Sequence, residues 1–187
     1  GGHTNEVVSR LTSSEELKKG RVHPLQILSA LVTYDSGHGF RGQSSWTPIP
    51  KIVEALNEAF YVAFDAVEPA NKNTLVGLDV SGSMTFGNIA NSPLMPFQAE
   101  AAMAMVAIRT EPEVFPVAFS GGFVPLTFGP TSRLGDVIQA MQGMPFDRTD
   151  CAVPMLWALK NRVPVETFTI YTDNETWAGG IHPFQAL

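Results

Sequence analysis

The sequence predicts an α/β fold: a doubly wound, mostly parallel sheet of Rossmann type, preceded by a run of helices. Three observations carry that expectation. Thr74-Leu75-Val76-Gly77-Leu78-Asp79-Val80 is a short apolar run that ends in a polar loop, as a buried parallel strand does. Thr167 to Thr172 is a second such run, ending at Asp173. Between them the pattern alternates as β-α-β-β-α-α-β, an order that wraps helices over both faces of a sheet.

Taken in order, the first third is helical. Ser13-Ser14-Glu15-Glu16 has capping-box spacing, with Ser13 as N-cap and Glu16 returning to its amide. Pro24 suits the first turn of a helix whose apolar residues are Leu25, Leu28, Leu31 and Val32. A polar, Gly-rich loop follows from Tyr34 to Gly42. From Pro50 a longer helix runs on Ile52, Val53, Leu56, Phe60, Ala63 and Phe64, a stripe at the helical repeat. Val67-Glu68-Pro69-Ala70-Asn71-Lys72 is a boundary, because Pro69 disfavours helix in the residue before it. After the first strand, an Ala- and Met-rich helix spans Pro96 to Arg109, its methionines reading as core. Val114 to Phe119 and Phe123 to Phe128 form a hairpin about Ser120-Gly121-Gly122. Pro116 is awkward inside a central strand, so this strand is expected to start late or carry a bulge. Leu134 to Met141 and Val153 to Leu159 read as helices.

Composition narrows the function. Hydrophobic residues make up 44% and charged residues 16% of 187, ordinary for a globular chain with a real core. No stretch approaches the roughly 18 apolar residues of a membrane span. Gly1-Gly2-His3-Thr4 has neither the basic start nor the apolar run of a signal peptide, and without an initiator Met the chain looks cut from something longer. Cys151 stands alone, so no intrachain disulfide forms; a packed core thiol and a cytoplasmic home are expected. The net charge of −6 argues against a chain that grips phosphates by itself. Six Lys or Arg (10, 18, 19, 21, 41, 51) against three acids between Arg10 and Lys51 mark where a nucleic-acid surface would lie. Taken singly, these residues read as solvated helix faces.

Ligands of open α/β sheets bind outside the carboxyl ends of the strands. Asp79/Ser81/Ser83, Thr149-Asp150 and Asp173-Asn174-Glu175 fall at or beside such ends. Oxygen-only donors suit a hard cation, Mg²⁺ or else Mn²⁺, and Mg²⁺ keeps several of its waters. Alternate spacing lets one loop aim the Asp79 carboxylate and the Ser81 and Ser83 hydroxyls inward. Thr149 comes from a second loop, and Asp173 holds a metal-bound water. With so little anionic charge around it, the metal accepts an acidic ligand from outside. Asp150 and Glu175 read as caps or loop hydrogen-bonders. His3, His23, His38 and His182 have no metal-ligand spacing and read as structural or surface groups; Trp157 reads as core.

The Asp79-Val80-Ser81-Gly82-Ser83, Thr149 and Asp173 set resembles the metal-ion-dependent adhesion site of von Willebrand factor A domains. More specifically, the chain resembles the Ro autoantigen family, in which a TROVE module precedes such a domain. The likeness rests on residues 21–28 (RVHPLQIL), 37–42 (GHGFRG), 59–61 (AFY) and 67–69 (VEP). It continues through Thr149-Asp150-Cys151, Val153-Pro154-Met155, residues 172–176 (TDNET) and residues 179–183 (GGIHP). It covers nearly the whole chain, and all five metal-site positions keep the family pattern. The resemblance implies a HEAT-like ring of helical repeats that binds misfolded noncoding RNA in its hole and Y RNA outside, closed by the A domain. On that basis residues 1–68 are the last helices of the ring, and residues 69–187 an A-type domain. That domain is incomplete at its C-terminus, with four strands where the fold has six.

The function expected is therefore a non-enzymatic ribonucleoprotein component. Its RNA is held by the complete ring, and a protein partner or acidic ligand meets the metal; no membrane is involved. Two rivals stand beside it. A protein-binding A domain without RNA agrees with the negative charge. A metal-dependent phosphatase would use Asp79 as nucleophile, but needs a carboxylate two residues on, where Ser81 stands. The sequence holds no Ser-His-Asp triad and no Gly-x-x-x-x-Gly-Lys-Ser/Thr phosphate loop.

Overall fold

The computed structural model describes residues 2–144, 148–173 and 176–187. They form two compact units: residues 1–68 with 88–94, and residues 69–87 with 95–187.

The first unit is helical: α1 (Gly2–Leu11), α2 (Ser14–Lys19), α3 (Pro24–Asp35) and α4 (Pro50–Val62), which runs into a 3₁₀ turn at Ala63–Ala66. The stripe read from Pro50 onward buries Leu56, Phe60, Ala63 and Phe64, with the Phe60 ring edge-on to Tyr61 and Phe64 at 5.1 Å. Ser13 caps α2 by accepting from the Glu16 N–H at 3.3 Å. The reciprocal half of that expected capping box is absent among the described residues, and the Glu16 carboxylate lies 3.8 Å from Arg10 instead. His23 caps α3: its Nδ1 accepts from Leu25 N while Gln26 Oε1 accepts from His23 N. His182-Pro183-Phe184-Gln185 repeats the device at α8 (Pro183–Ala186), in the second unit. A proline that has no N–H to satisfy follows each capping histidine. The helix through Tyr34 and Asp35 runs two residues into the expected loop, where Trp46 stacks on Tyr34 and donates to its carbonyl at 2.8 Å.

The second unit holds a four-stranded sheet in the order β3-β2-β1-β4, with β1 (Thr74–Asp79), β2 (Val114–Phe119), β3 (Phe123–Pro125) and β4 (Thr167–Tyr171). β1 runs parallel to β2 and β4, while β2 and β3 form the antiparallel hairpin. The helices are α5 (Pro96–Thr110), α6 (Leu134–Gln142) and α7 (Val153–Asn161). The mostly parallel α/β class is thus the observed one. All six residues of β1 are buried, as a strand covered on both faces requires. Gly77 lets α7 and β4 approach: a Cβ there would sit 2.7 Å from Ile170 Cδ1 and 3.2 Å from Pro154 Cγ.

Pro116 corrects an expectation. β2 begins at Val114 with an unbroken register from Thr74↔Val114 to Asp79↔Phe119, neither late nor bulged. The Pro116 carbonyl accepts from Leu126 N at 2.8 Å, so that residue's polar groups face β3. A missing N–H on that side takes nothing from the β1 ladder. β3 is also shorter than the run to Phe128 that the sequence suggested, ending at Pro125: Leu126 N donates to Pro116 O, but Pro116 has no N–H to return the bond.

Candidate metal centre at the strand ends

β1 delivers Asp79, fully buried, to its carboxyl end, and the Val80 N–H still pairs with Phe119 O at 3.0 Å. The chain then turns sharply. Asp79 Oδ1 accepts from Ser81 N at 2.8 Å, the local carboxylate-to-backbone bond that stabilises Asp-led turns. Ser81 and Ser83 bring their hydroxyl oxygens to 3.1 Å, one buried and the other exposed, on a 3₁₀ turn over Gly82–Thr85. From the end of β4, the Thr172 hydroxyl donates to Asp79 Oδ2 at 2.7 Å.

The second loop is fixed by backbone. Asp150 N donates to Ser120 O at 3.1 Å, tying it to the end of β2. Thr149 is buried, and its carbonyl accepts from Trp177 N and Ala178 N, each at 3.2 Å. Gly179, at φ +92°, packs on the Asp150 carboxylate so closely that a Cβ would overlap it. Asp150 Oδ1 accepts from Ala152 N at 3.0 Å, the loop-bonding role its sequence position implied. Cys151 is buried; burial pushes its thiol pKa up, the Thr176 and Thr172 hydroxyls oppose the rise, and Asp79 adds to it. Asp173 follows Thr172 and is half-buried, with its Oδ1 enclosed and lacking a hydrogen-bond partner among the described residues. Asn174 and Glu175 lie outside the described residues.

Besides Thr172, one residue of this cluster is not visible in the sequence pattern. Glu100, 3% exposed, reaches from α5 so that its Oε2 accepts from Asp79 N at 3.2 Å. Its Oε1 is buried and lacks a hydrogen-bond partner among the described residues. Burial raises its pKa well above the carboxylate range; the charges of Asp79 and Asp173 push the same way, and the bond from the Asp79 backbone opposes them. The available signal was a lone acid in the run Phe97-Gln98-Ala99-Glu100-Ala101-Ala102-Met103, otherwise small and apolar apart from Gln98.

Chemically, the cluster concentrates carboxylate and hydroxyl oxygens where burial makes unbalanced negative charge costly. Among the described residues no three His, Cys, Asp or Glu side chains converge as a metal-binding group. A cation here would therefore depend on the Ser and Thr hydroxyls as well as on carboxylates. The donor types fit a hard divalent ion, and the enclosed, unpartnered Asp173 Oδ1 and Glu100 Oε1 are oxygens such an ion or its waters would satisfy. Beside the loop an apolar groove of about 290 Å³ is lined by Val80, Phe119, Phe123, Val124 and Met144, among others.

The family pattern described as the Ro60 vWA domain matches residues 73–187. The RNA-binding protein RO60 of Deinococcus radiodurans is 50% identical over 182 residues, covering 97% of this chain and 34% of that protein. Its namesake in Caenorhabditis elegans is 42% identical over 183 residues, covering 98% of this chain and 28% of the relative. The crystal structure of the Deinococcus radiodurans RO (RSR) protein superposes with a TM-score of 0.93 at 48% identity, covering all of this chain and 38% of that one. The chain thus spans about a third of the length of the relatives it matches. This chain belongs to the Ro60 family, and residues 73–187 are its von Willebrand factor A domain.

Proposed function

We propose that the chain is the C-terminal part of a non-enzymatic, cytoplasmic RNA-binding ribonucleoprotein component whose A domain holds Mg²⁺ or Mn²⁺. The ligand set is Asp79, Ser81, Ser83 and Thr149, with Asp173 acting through a bound water. The observation that carries the metal reading is the pair of buried carboxylate oxygens at the strand ends, Asp173 Oδ1 and Glu100 Oε1, with no hydrogen-bond partner among the described residues. Buried polar atoms are rarely left so, and a cation or its water resolves both. When bound, the ion supplies an electrophilic centre for an acidic group of a partner. The protein's residues hold and orient that centre: Thr172 and the Ser81 N–H fix both Asp79 oxygens, and the Ser hydroxyls contribute no charge of their own.

The test is calorimetric titration with Mg²⁺. Wild type and Cys151→Ser should bind alike, and Asp79→Ala should show no binding while remaining folded. Equal affinity in Asp79→Ala would remove the assignment.

The RNA reading is supported by the relatives' name and by 50% identity to one of them. Residues 1–68 are, in this reading, the last helices of a TROVE-type ring that takes Y RNA and misfolded noncoding RNA. Arg10, Lys18, Lys19, Arg21, Arg41 and Lys51 are all exposed, with Arg10 3.8 Å from Glu16 and Arg41 bonded to Asn91. So few cations on an acidic chain neutralise few phosphates, and affinity falls with a slope of about −0.9 per phosphate in salt. Filter binding at roughly 150 mM salt should find this chain weak and a protein of the relatives' full length strong. Submicromolar binding by this chain alone would place the RNA surface elsewhere. A phosphatase reading lacks the second carboxylate, since Ser81 stands in its position. Metal-dependent turnover of a generic phosphate ester, lost in Asp79→Asn, would restore it.

A further inference from the structure

Glu100 is not among the five residues of the family's metal pattern, yet it shares their enclosure. It sits on α5, a helix whose neighbouring residues Ala99, Ala101, Ala102 and Ala104 are all buried. One of its oxygens is committed: Oε2 accepts from the backbone N–H of Asp79 at 3.2 Å. The other, Oε1, is buried without a partner among the described residues. A carboxyl group retained in such a place has no packing advantage over an alanine or methionine, which the rest of the helix uses freely. Its value must lie in what its oxygens can accept.

Resting on the cation reading above, we infer that Glu100 is a positioning residue of the metal loop. Oε2 fixes the Asp79 backbone, and Oε1, buried without a partner among the described residues, accepts a hydrogen bond from a water that the cation holds. Glu100 does not touch the ion. It orients what does, as the outer partners of metal ligands do. The arrangement has an atom-specific consequence. The cation's charge favours the ionised form of Glu100, in which Oε1 accepts; a glutamine in its place still offers a carbonyl oxygen to the Asp79 N–H but sets an amide that only donates where Oε1 stood. It also removes a buried carboxyl group close to Asp79 and Asp173.

The experiment compares Mg²⁺ calorimetry with thermal unfolding in EDTA for wild type, Glu100→Gln, Glu100→Ala and Asp79→Ala. Glu100→Gln should unfold in EDTA at the wild-type temperature or above it, while its Mg²⁺ affinity falls roughly 10–100-fold. Glu100→Ala should lose both affinity and midpoint, because the Asp79 N–H is then orphaned. A purely structural Glu100 would move affinity and midpoint together, or leave the affinity of Glu100→Gln untouched; either result overturns the inference. If wild type binds and Asp79→Ala does not, but Glu100→Gln binds as wild type, only the role of Glu100 falls. If wild type fails to bind Mg²⁺, the cation reading falls and the inference with it.

Discussion

The two ends of β1 are built on opposite principles. Around Leu75 the strand is apolar and closed: Val117 and Ala158 are buried against it, and Phe115, Trp157, Phe168 and Ile170 pack over the cluster. Four residues on, at Asp79, burial is as complete but the contents are polar, and two neighbouring carboxylate oxygens lack partners among the described residues. The first end stabilises. The second is held in place by the first and carries an electrostatic cost that a ligand would relieve. A polar cluster occupies the half of the strand that a stability argument alone would have filled with leucine.

Substitutions should separate the two ends. Leu75→Ala leaves a void at a fully enclosed position and should cost about 2–5 kcal/mol in denaturant unfolding. Folded molecules of that variant should bind Mg²⁺ as wild type does. An equal loss of cation affinity would mean that the ends are not separable. Gly77→Ala should cost about 1–3 kcal/mol, because its Cβ must displace Ile170 and Pro154. A neutral result in the same unfolding assay would show that β4 and α7 yield easily.

The smallest effect belongs to the entry of β1. There Glu166 accepts from Asn73 N at 2.9 Å and from Lys72 Nζ at 3.0 Å, and those bonds hold its carboxyl below the usual range. A depressed folded-state pKa gives stability that is present above the unfolded carboxylate value of about 4.3 and lost as pH falls through the folded one. Glu166→Gln should therefore unfold slightly more readily at pH 7 and lose part of the acid sensitivity of wild type. Because the pair is exposed, the difference should shrink in high salt. Parallel pH curves for the two proteins would contradict this.

What the sequence made legible follows from periodicity. β1 and β4 were readable because a short apolar run that ends in a polar loop is what a strand buried on both faces requires. α4 was readable because its stripe keeps the helical repeat over three turns. The backbone effect of Pro116 was not readable, since whether a missing N–H matters depends on which neighbour it faces. Residues 88–94 group with the helical unit rather than with the sheet between whose elements they lie in sequence. Asn88-Ile89-Ala90-Asn91-Ser92-Pro93-Leu94 has no period from which that could be seen. Among the candidate ligands, Asp79, Ser81 and Ser83 are marked in the sequence by alternate spacing, and Thr149 and Asp173 by their place beside predicted strand ends. Glu100 and Thr172 reach Asp79 only through tertiary structure, one from a helix that reads as core and one as the last residue of an apolar run. Spacing along a chain cannot report a contact made across 93 residues.

The central claim is that the polar end of β1 is assembled around a cation. Its most direct test is the thermal unfolding of the A domain in this chain, in EDTA and then in Mg²⁺ at about a hundred times the dissociation constant. Binding to the folded state alone should add about 2.7 kcal/mol, read as a higher midpoint, and Asp79→Ala should show no rise. A midpoint that ignores Mg²⁺ in wild type, or that rises equally in Asp79→Ala, would contradict the claim.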